Sequence, residues 1–169
     1  RTYEYYLEYA DQQKGVVATF KTFGVQIPNA GMEEWQGDSP LLPYTSKQWW
    51  DTGNHGSSTL GKNVTTNSNE VRPGSTGKSS AFLKSQFVGI AGIGKFAAGN
   101  IFLGEFGGLV GLDGLVNFGR PSTARPVALR GWIKYNCGVI DEFGKTPTAR
   151  PDLKKGDMDE GQIMIAVGN

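Results

Sequence analysis

The stretch GIAGIGKFAAGN, residues 89–100, decides between two classes of fold. Gly92, Gly94 and Ala97 have the G-x-G-x-x-A spacing of a dinucleotide-binding turn, and Asp113 follows where a ribose-binding acid would lie. Such a turn needs a helix directly after it, because the helix N-terminus faces the pyrophosphate. Six glycines lie between residues 99 and 114, and each costs a helix about 1 kcal/mol relative to alanine. The stretch therefore predicts strand, bend and strand.

Composition extends this prediction to the whole chain. Glycine makes up 25 of the 169 residues, about twice its usual share, and the rest is rich in threonine, valine, isoleucine and aromatics, which favour strands. No helix of three turns is expected. The predicted class is all-β, a Greek-key or jelly-roll sandwich.

The strand pattern is uneven along the chain. Two alternating segments at the N-terminus are joined by a polar turn, and a long, mostly loop region follows over 26–80. A glycine-flanked apolar stretch, 106–118, is expected to be a loop lifted off the sandwich. The predicted strands are 2–9, 15–25, 81–94, 99–106, 128–138 and 161–168.

Charge and cysteine content exclude several functions. A net charge of +1 gives no basis for binding nucleic acid or an anionic membrane. No run of 18 apolar residues exists, so no transmembrane segment is expected. One histidine and one cysteine rule out a zinc site.

One glycine-rich loop holds the residue types that bind sugars. Aromatic faces stack on pyranose rings, and planar polar groups form paired hydrogen bonds with vicinal hydroxyls. We expect ligand contacts from Trp49, Trp50, Asn54 and His55. In the alternative interpretation, at least one of the two tryptophans packs in the core.

Several cations lie within or beside apolar segments. Lys95 and Arg125 are expected to face the ligand. Period-two alternation places Arg130, Trp132 and Lys134 on one face, which is either a surface for sugars or uronates or the solvated side of a strand.

Acidic residues offer two further hypotheses. A glycosidase needs two carboxylates across the scissile bond, and Glu105 with Asp51 is the best pair, although surface acids are the simpler interpretation. No resident metal or other cofactor is expected. Calcium, with oxygen ligands from Glu33, Glu34 or Asp38, is the alternative, although EF-hand spacing is absent.

Three blocks carry a family resemblance. WWDTGN (49–54), GKFAAGNIFLGEF (94–106) and NFGRPSTARPVALRGWIKYNCG (117–138) resemble the "putative carbohydrate metabolism domain" of Bacteroidetes gut bacteria, over about 27–169. Ser122 replaces a usual aromatic, and Trp132-Ile133 replaces a Tyr-Tyr pair. The chain also stops short of the family's usual end, so the sandwich is expected to be incomplete at its C-terminus or completed by a partner chain.

The resemblance implies a jelly roll like those of carbohydrate-binding modules. It implies an exported protein, a surface lipoprotein or periplasmic component for polysaccharide utilisation, often with a preceding immunoglobulin-like domain. Residues 1–25 are then either the end of such a domain or the first strands of this one, and 26–169 form the jelly roll. We expect a non-catalytic glycan-binding protein. The alternatives are a glycoside hydrolase and a structural or adhesion module.

Overall fold

The computed structural model describes residues 2–5, 16–21, 26–45, 48–91, 93–122, 126, 128–141 and 150–168. Within these ranges the chain forms strands, one four-residue helix and one 3₁₀ turn. The elements in chain order are β1 (Thr2–Tyr5), β2 (Ala18–Lys21), β3 (Trp35–Gln36), β4 (Leu42–Pro43), β5 (Trp50–Thr52), α1 (Asn54–Ser57), the 3₁₀ turn (Ser58–Leu60), β6 (Thr65–Ser68), β7 (Ser80–Leu83), β8 (Gln86–Ile90), β9 (Ile93–Ala97), β10 (Ile101–Val110) and β11 (Asp113–Phe118).

All strand pairs are antiparallel. Four pairs stand as two-stranded sheets, β1–β2, β3–β4, β6–β7 and β8–β9, and one sheet has three strands in the order β11–β10–β5. The antiparallel pair β1–β2 confirms strands within both N-terminal segments, and the polar turn predicted between them lies outside the described residues. The all-β class is confirmed, and the set of antiparallel sheets is consistent with a sandwich.

Most of the glycine-rich stretch 89–100 lies in the hairpin β8–β9. Gly89 lies directly opposite Gly94, and Ala91 takes a positive φ of 51° at the turn. The acid expected to bind ribose, Asp113, forms an ion pair with Lys95 of β9. Strand, bend and strand are therefore confirmed, and the dinucleotide-like spacing reflects hairpin geometry.

The predicted loop over 106–118 is wrong, because this segment forms most of a second hairpin. β10 continues to Val110 and pairs with β11 from Asp113, with a bulge between Phe106 and Gly108. Gly111 turns the chain with a φ of 63°. Glycines prevent a helix but are compatible with a bulged strand, because a bulge uses backbone angles that glycine adopts and other residues avoid.

Two predicted strands do not form. Residues 128–138 and 161–168 have no ladder partner among the residues described, and only an isolated bridge, Val139 with Met158, lies between them. A segment with strand propensity forms a strand only when its backbone N–H and C=O groups pair with those of a neighbouring strand. Conversely, the region 26–80, predicted as mostly loop, contains β3 to β6 and α1.

The best-buried part of the described structure lies in this middle region and in β8, and it is largely polar. Its apolar members are Met32, Val64 and Val88. Buried polar side chains outnumber them, and these are Asp51, Thr52, Asn54, Ser57 and Thr65. Hydrogen bonds between side chains and backbone therefore organise the region around β5, α1 and β6, because buried polar groups require partners.

Replacing Gly94 with alanine is expected to destabilise the protein by about 1–3 kcal/mol, the usual cost of overpacking. A Cβ atom at Gly94 would lie 2.2 Å from the carbonyl oxygen of Val88 and 2.5 Å from the Cα of Gly89. Urea unfolding measures the loss. Gly138→Ala is the control, because a Cβ there meets no atom within 4 Å. Equal stabilities for the two variants would contradict the close approach in this hairpin.

Candidate functional site

Asn54 lies at the centre of the polar core, where α1 begins directly after β5. Its Nδ2 donates hydrogen bonds of 2.6 Å to the carbonyl oxygens of Leu41 and Thr65. Its Oδ1 accepts bonds from the amides of Val64 and Thr65, at 2.8 and 3.0 Å. The side chain is fully buried, and its donors and acceptor are all engaged. Asn54 therefore presents no surface to a ligand.

Asp51 is a second buried anchor. Its carboxylate accepts bonds of 2.8 Å from the amides of Thr52 and Phe106, so it ties β5 to β10. The side chains of His55 and Gln48 approach it at 3.1 and 3.3 Å. Only 1% of the residue is exposed. This carboxylate therefore belongs to the scaffold, out of reach of a glycosidic bond.

His55 connects this anchor to the surface. Its Nε2 contacts Asp51, and its ring stacks on Phe106 with a centroid separation of 5.3 Å and an interplanar angle of 17°. About a third of the side chain is exposed, 32%. His55 therefore packs α1 against β10, with an open edge.

The two adjacent tryptophans have different surroundings, as expected for successive residues of an extended chain. The indole N–H of Trp50 donates a 2.8 Å bond to the carbonyl of Pro28. Trp49 is held through its main chain, with its amide bonded to the Thr45 hydroxyl and its carbonyl to the amide of Gly104, both at 3.1 Å. The side chain of Trp49 lines an open groove.

This groove, called the Trp49 groove below, has a volume of about 470 Å³. Its walls come from the segment before β5, from β10 and from the segment after β11. The lining residues are Gln48, Trp49, Glu105, Arg120 and Pro121. Pairing of β5 with β10 brings the first two segments together, and pairing of β10 with β11 brings the third.

The charged residues of the groove are held to different degrees. Arg120 Nη2 donates a 2.6 Å bond to the carbonyl of Gly104, and its side chain is 21% exposed. Glu105 is 57% exposed and lies 3.6 Å from Arg120 Nη1, which is too long for a hydrogen bond. An exposed pair of this kind contributes about 1 kcal/mol or less. Glu105 can therefore accept hydrogen bonds from a ligand without a large cost.

The remaining residues predicted for the site lie elsewhere. Lys95 is exposed and paired with Asp113, and it does not line the groove. Arg125 falls outside the described residues. Glu33, one of the oxygen ligands considered for calcium, accepts hydrogen bonds from the amides of Lys78 and Ser79 at 2.8 and 3.1 Å. Across the described ranges, no three His, Cys, Asp or Glu side chains group as a metal site.

Three groove residues were not among those predicted. Gln48 carries a planar amide next to Trp49, which is a recognisable signal for sugar binding. Arg120 and Pro121 follow β11 within the NFGRP block. Only the pairing of β11 with β10 places them beside Glu105, so local sequence gave no indication of their role.

Shifted pKa values belong to the C-terminal segment. Hydrogen bonding from Arg150, whose Nε and Nη2 lie 3.1 Å from the two carboxylate oxygens, lowers the pKa of Asp152. Loss of hydration, followed by the negative charge of Asp159, raises the pKa of Tyr135. None of these four residues lines the Trp49 groove.

No helix in the described part of the chain is long and apolar enough to cross a membrane. Comparison with known proteins gives a match to a protein family. A family model described as "Putative carbohydrate metabolism domain" matches residues 29–169. No curated protein and no solved structure matches the chain significantly.

Replacing Asn54 with alanine is expected to destabilise the protein by about 3 kcal/mol or more, because buried amides and carbonyls lose their partners. Thermal and urea unfolding measure the effect. Asn69→Ala is the matched control, because this exposed loop residue should change stability by about 0.5 kcal/mol at most. Similar midpoints for both variants would contradict the organising role of Asn54.

Proposed function

This chain belongs to the putative carbohydrate metabolism domain family, and we propose that it binds glycans in the Trp49 groove without cleaving them. The family match covers every residue of the groove and indicates a role in carbohydrate metabolism. We propose in addition that the chain binds a glycan, that the Trp49 groove is the binding site and that the glycan is not cleaved.

The observation that carries this proposal is the chemistry of the groove lining. An indole ring, an amide, a carboxylate and a guanidinium face one space. The indole supplies an apolar face for the C–H side of a pyranose, and the three planar polar groups match its hydroxyls.

The dimensions of the groove agree with this class of ligand. Its volume of about 470 Å³ lies within the range of about 300–1,000 Å³ typical of small-molecule sites. The loose contact between Glu105 and Arg120 leaves the exposed Glu105 carboxylate able to reorient towards hydroxyls, whereas the bond to Gly104 holds Arg120 in place. Asp51 ties the backbone of β5 to that of β10 next to Trp49 and Glu105, so binding does not require these two strands to reorganise.

Binding is favoured over hydrolysis because Glu105 is, among the residues that the structure describes, the single carboxylate that lines the groove. Asp51, its partner in the glycosidase hypothesis, is buried and accepts two backbone hydrogen bonds. A glycosidase of the usual type needs an acid and a second carboxylate on opposite sides of the bond.

An exported location is part of the proposal, because polymeric glycans are encountered outside the cell. Immunodetection after separation of surface, periplasmic and cytoplasmic fractions tests it, and detection in the cytoplasm alone would contradict it.

Trp49→Ala is expected to weaken binding to a neutral glycan at least about tenfold, equivalent to about 1.4 kcal/mol. The ligand is first identified on an array of neutral plant and host polysaccharides, and its affinity is then measured by calorimetry. Trp49→Phe should retain part of the affinity, because a smaller aromatic face remains. Tyr44→Ala is the control, since this aromatic is 41% exposed and lies outside the groove lining.

Two results would overturn this function. Failure to bind any glycan on the array would favour the structural or adhesion module. Release of aryl groups from aryl-glycosides by the unmodified protein, abolished by Glu105→Gln, would instead establish a glycoside hydrolase. Circular dichroism of each variant confirms that it is folded before binding or turnover is compared.

A further inference from the structure

A second aromatic surface lies in the segment after β11. Trp132 is 78% exposed. It lines a cleft of about 410 Å³, called the Trp132 cleft, together with Leu129, Arg130 and Gly131. None of these residues lines the Trp49 groove. An indole this exposed is costly to hydrate and has a large face available for contact.

Two contacts with a distant part of the chain orient this segment. The Arg72 guanidinium lies over the ring of Trp132, 4.6 Å from its centroid. Two residues further along, the ammonium of Lys134 forms an ion pair with Glu70. Trp132 and Lys134 are two positions apart, and so are their partners Arg72 and Glu70. This agrees with the prediction that Trp132 and Lys134 share one face of the segment.

The cleft has a positive charge that is not neutralised locally. Within the described residues, Arg130 has no carboxylate at ion-pair distance, and the Arg72 guanidinium contacts the indole. The neighbouring carboxylate, Glu70, is engaged by Lys134. Two guanidinium groups therefore remain beside one exposed aromatic ring. Guanidinium groups bind carboxylates in a bidentate geometry that neutral sugars cannot use.

We propose that the Trp132 cleft is a second glycan-binding site, specific for acidic sugars, that is, pyranoses carrying a carboxylate. Trp132 stacks on the sugar ring through the face that Arg72 leaves open, Arg130 in the cleft lining binds the carboxylate, and Arg72 adds positive charge behind the indole. The choice of a sugar as ligand rests on the proposed carbohydrate-binding function, whereas its charge follows from the two arginines. The Trp49 groove, with one acid and one arginine in contact, is suited to neutral sugars.

The test compares two probes that differ only in charge. Polygalacturonate carries a carboxylate on each sugar, and fully methyl-esterified polygalacturonate carries none. Calorimetry with the unmodified protein is expected to give at least about tenfold stronger binding to the acid form, since each charge-assisted bond is about twice as strong as a neutral one. Raising the salt concentration should reduce that difference.

Variants assign this binding to the cleft. Trp132→Ala and Arg130→Gln are each expected to weaken polygalacturonate binding at least about tenfold, while Trp49→Ala leaves it within about twofold. Phe82→Ala and Lys155→Gln are the controls for loss of an exposed aromatic and an exposed charge. Polyglutamate, an acidic polymer without sugar rings, should bind at least about tenfold more weakly, because it offers no pyranose face to Trp132.

Several outcomes would overturn the second site. They are equal binding of the acid and ester forms, equal binding of polyglutamate, or polygalacturonate binding unaffected by Trp132→Ala or Arg130→Gln. If Trp49→Ala abolishes binding of both neutral and acidic glycans, one site serves both, and only the second site is refuted. If neutral glycans fail to bind but Trp132-dependent polygalacturonate binding is found, only the Trp49 groove is refuted.

Discussion

The rest of the described structure depends on the hydrogen bonds of one side-chain amide. Asn54 takes two carbonyls and two amides from the segments around Leu41 and Val64–Thr65, and it is fully buried. Few apolar side chains are buried nearby, so these directional bonds replace much of the packing that usually holds a core. Breaking one of these hydrogen bonds costs more free energy than losing an apolar contact, because it leaves a buried polar group without a partner.

A second polar anchor links this local order to the strands that carry the Trp49 groove. Asp51 joins β5 to β10 through the amide of Phe106, and β10 in turn pairs with β11. Trp49 precedes this anchor by two residues, and Glu105 precedes Phe106 by one. The backbone bonds that hold the anchor therefore set the positions of the tryptophan and the acid in the lining of the groove. Asp51 and Asn54, which the sequence suggested as catalytic or binding residues, thus hold the backbone in place.

The two aromatic surfaces, the Trp49 groove and the Trp132 cleft, differ in their local net charge. In the Trp49 groove, Glu105 and Arg120 nearly cancel, which suits a ligand with hydroxyls and no net charge. In the Trp132 cleft, the nearby carboxylate is used by Lys134, and guanidinium groups dominate. A chain with a net charge of only +1 can therefore present one neutral and one cationic site, since recognition depends on local pairing rather than on the total.

The sequence alone determined the all-β class and the succession of strand, bend and strand after residue 89, because helix-breaking glycines and period-two alternation act locally. It placed no turn within 81–94, which was predicted as one strand and forms β7, β8 and the start of β9. It also predicted that the tryptophan pair supplies an aromatic platform. Only the tertiary structure decided that Trp49 lines the groove, that Asn54 is an internal strut and that Arg120 faces Glu105. It also decided that residues 128–138 join no strand ladder within the described part of the chain. Burial and pairing are relations between segments far apart in the chain, so no local pattern contains them.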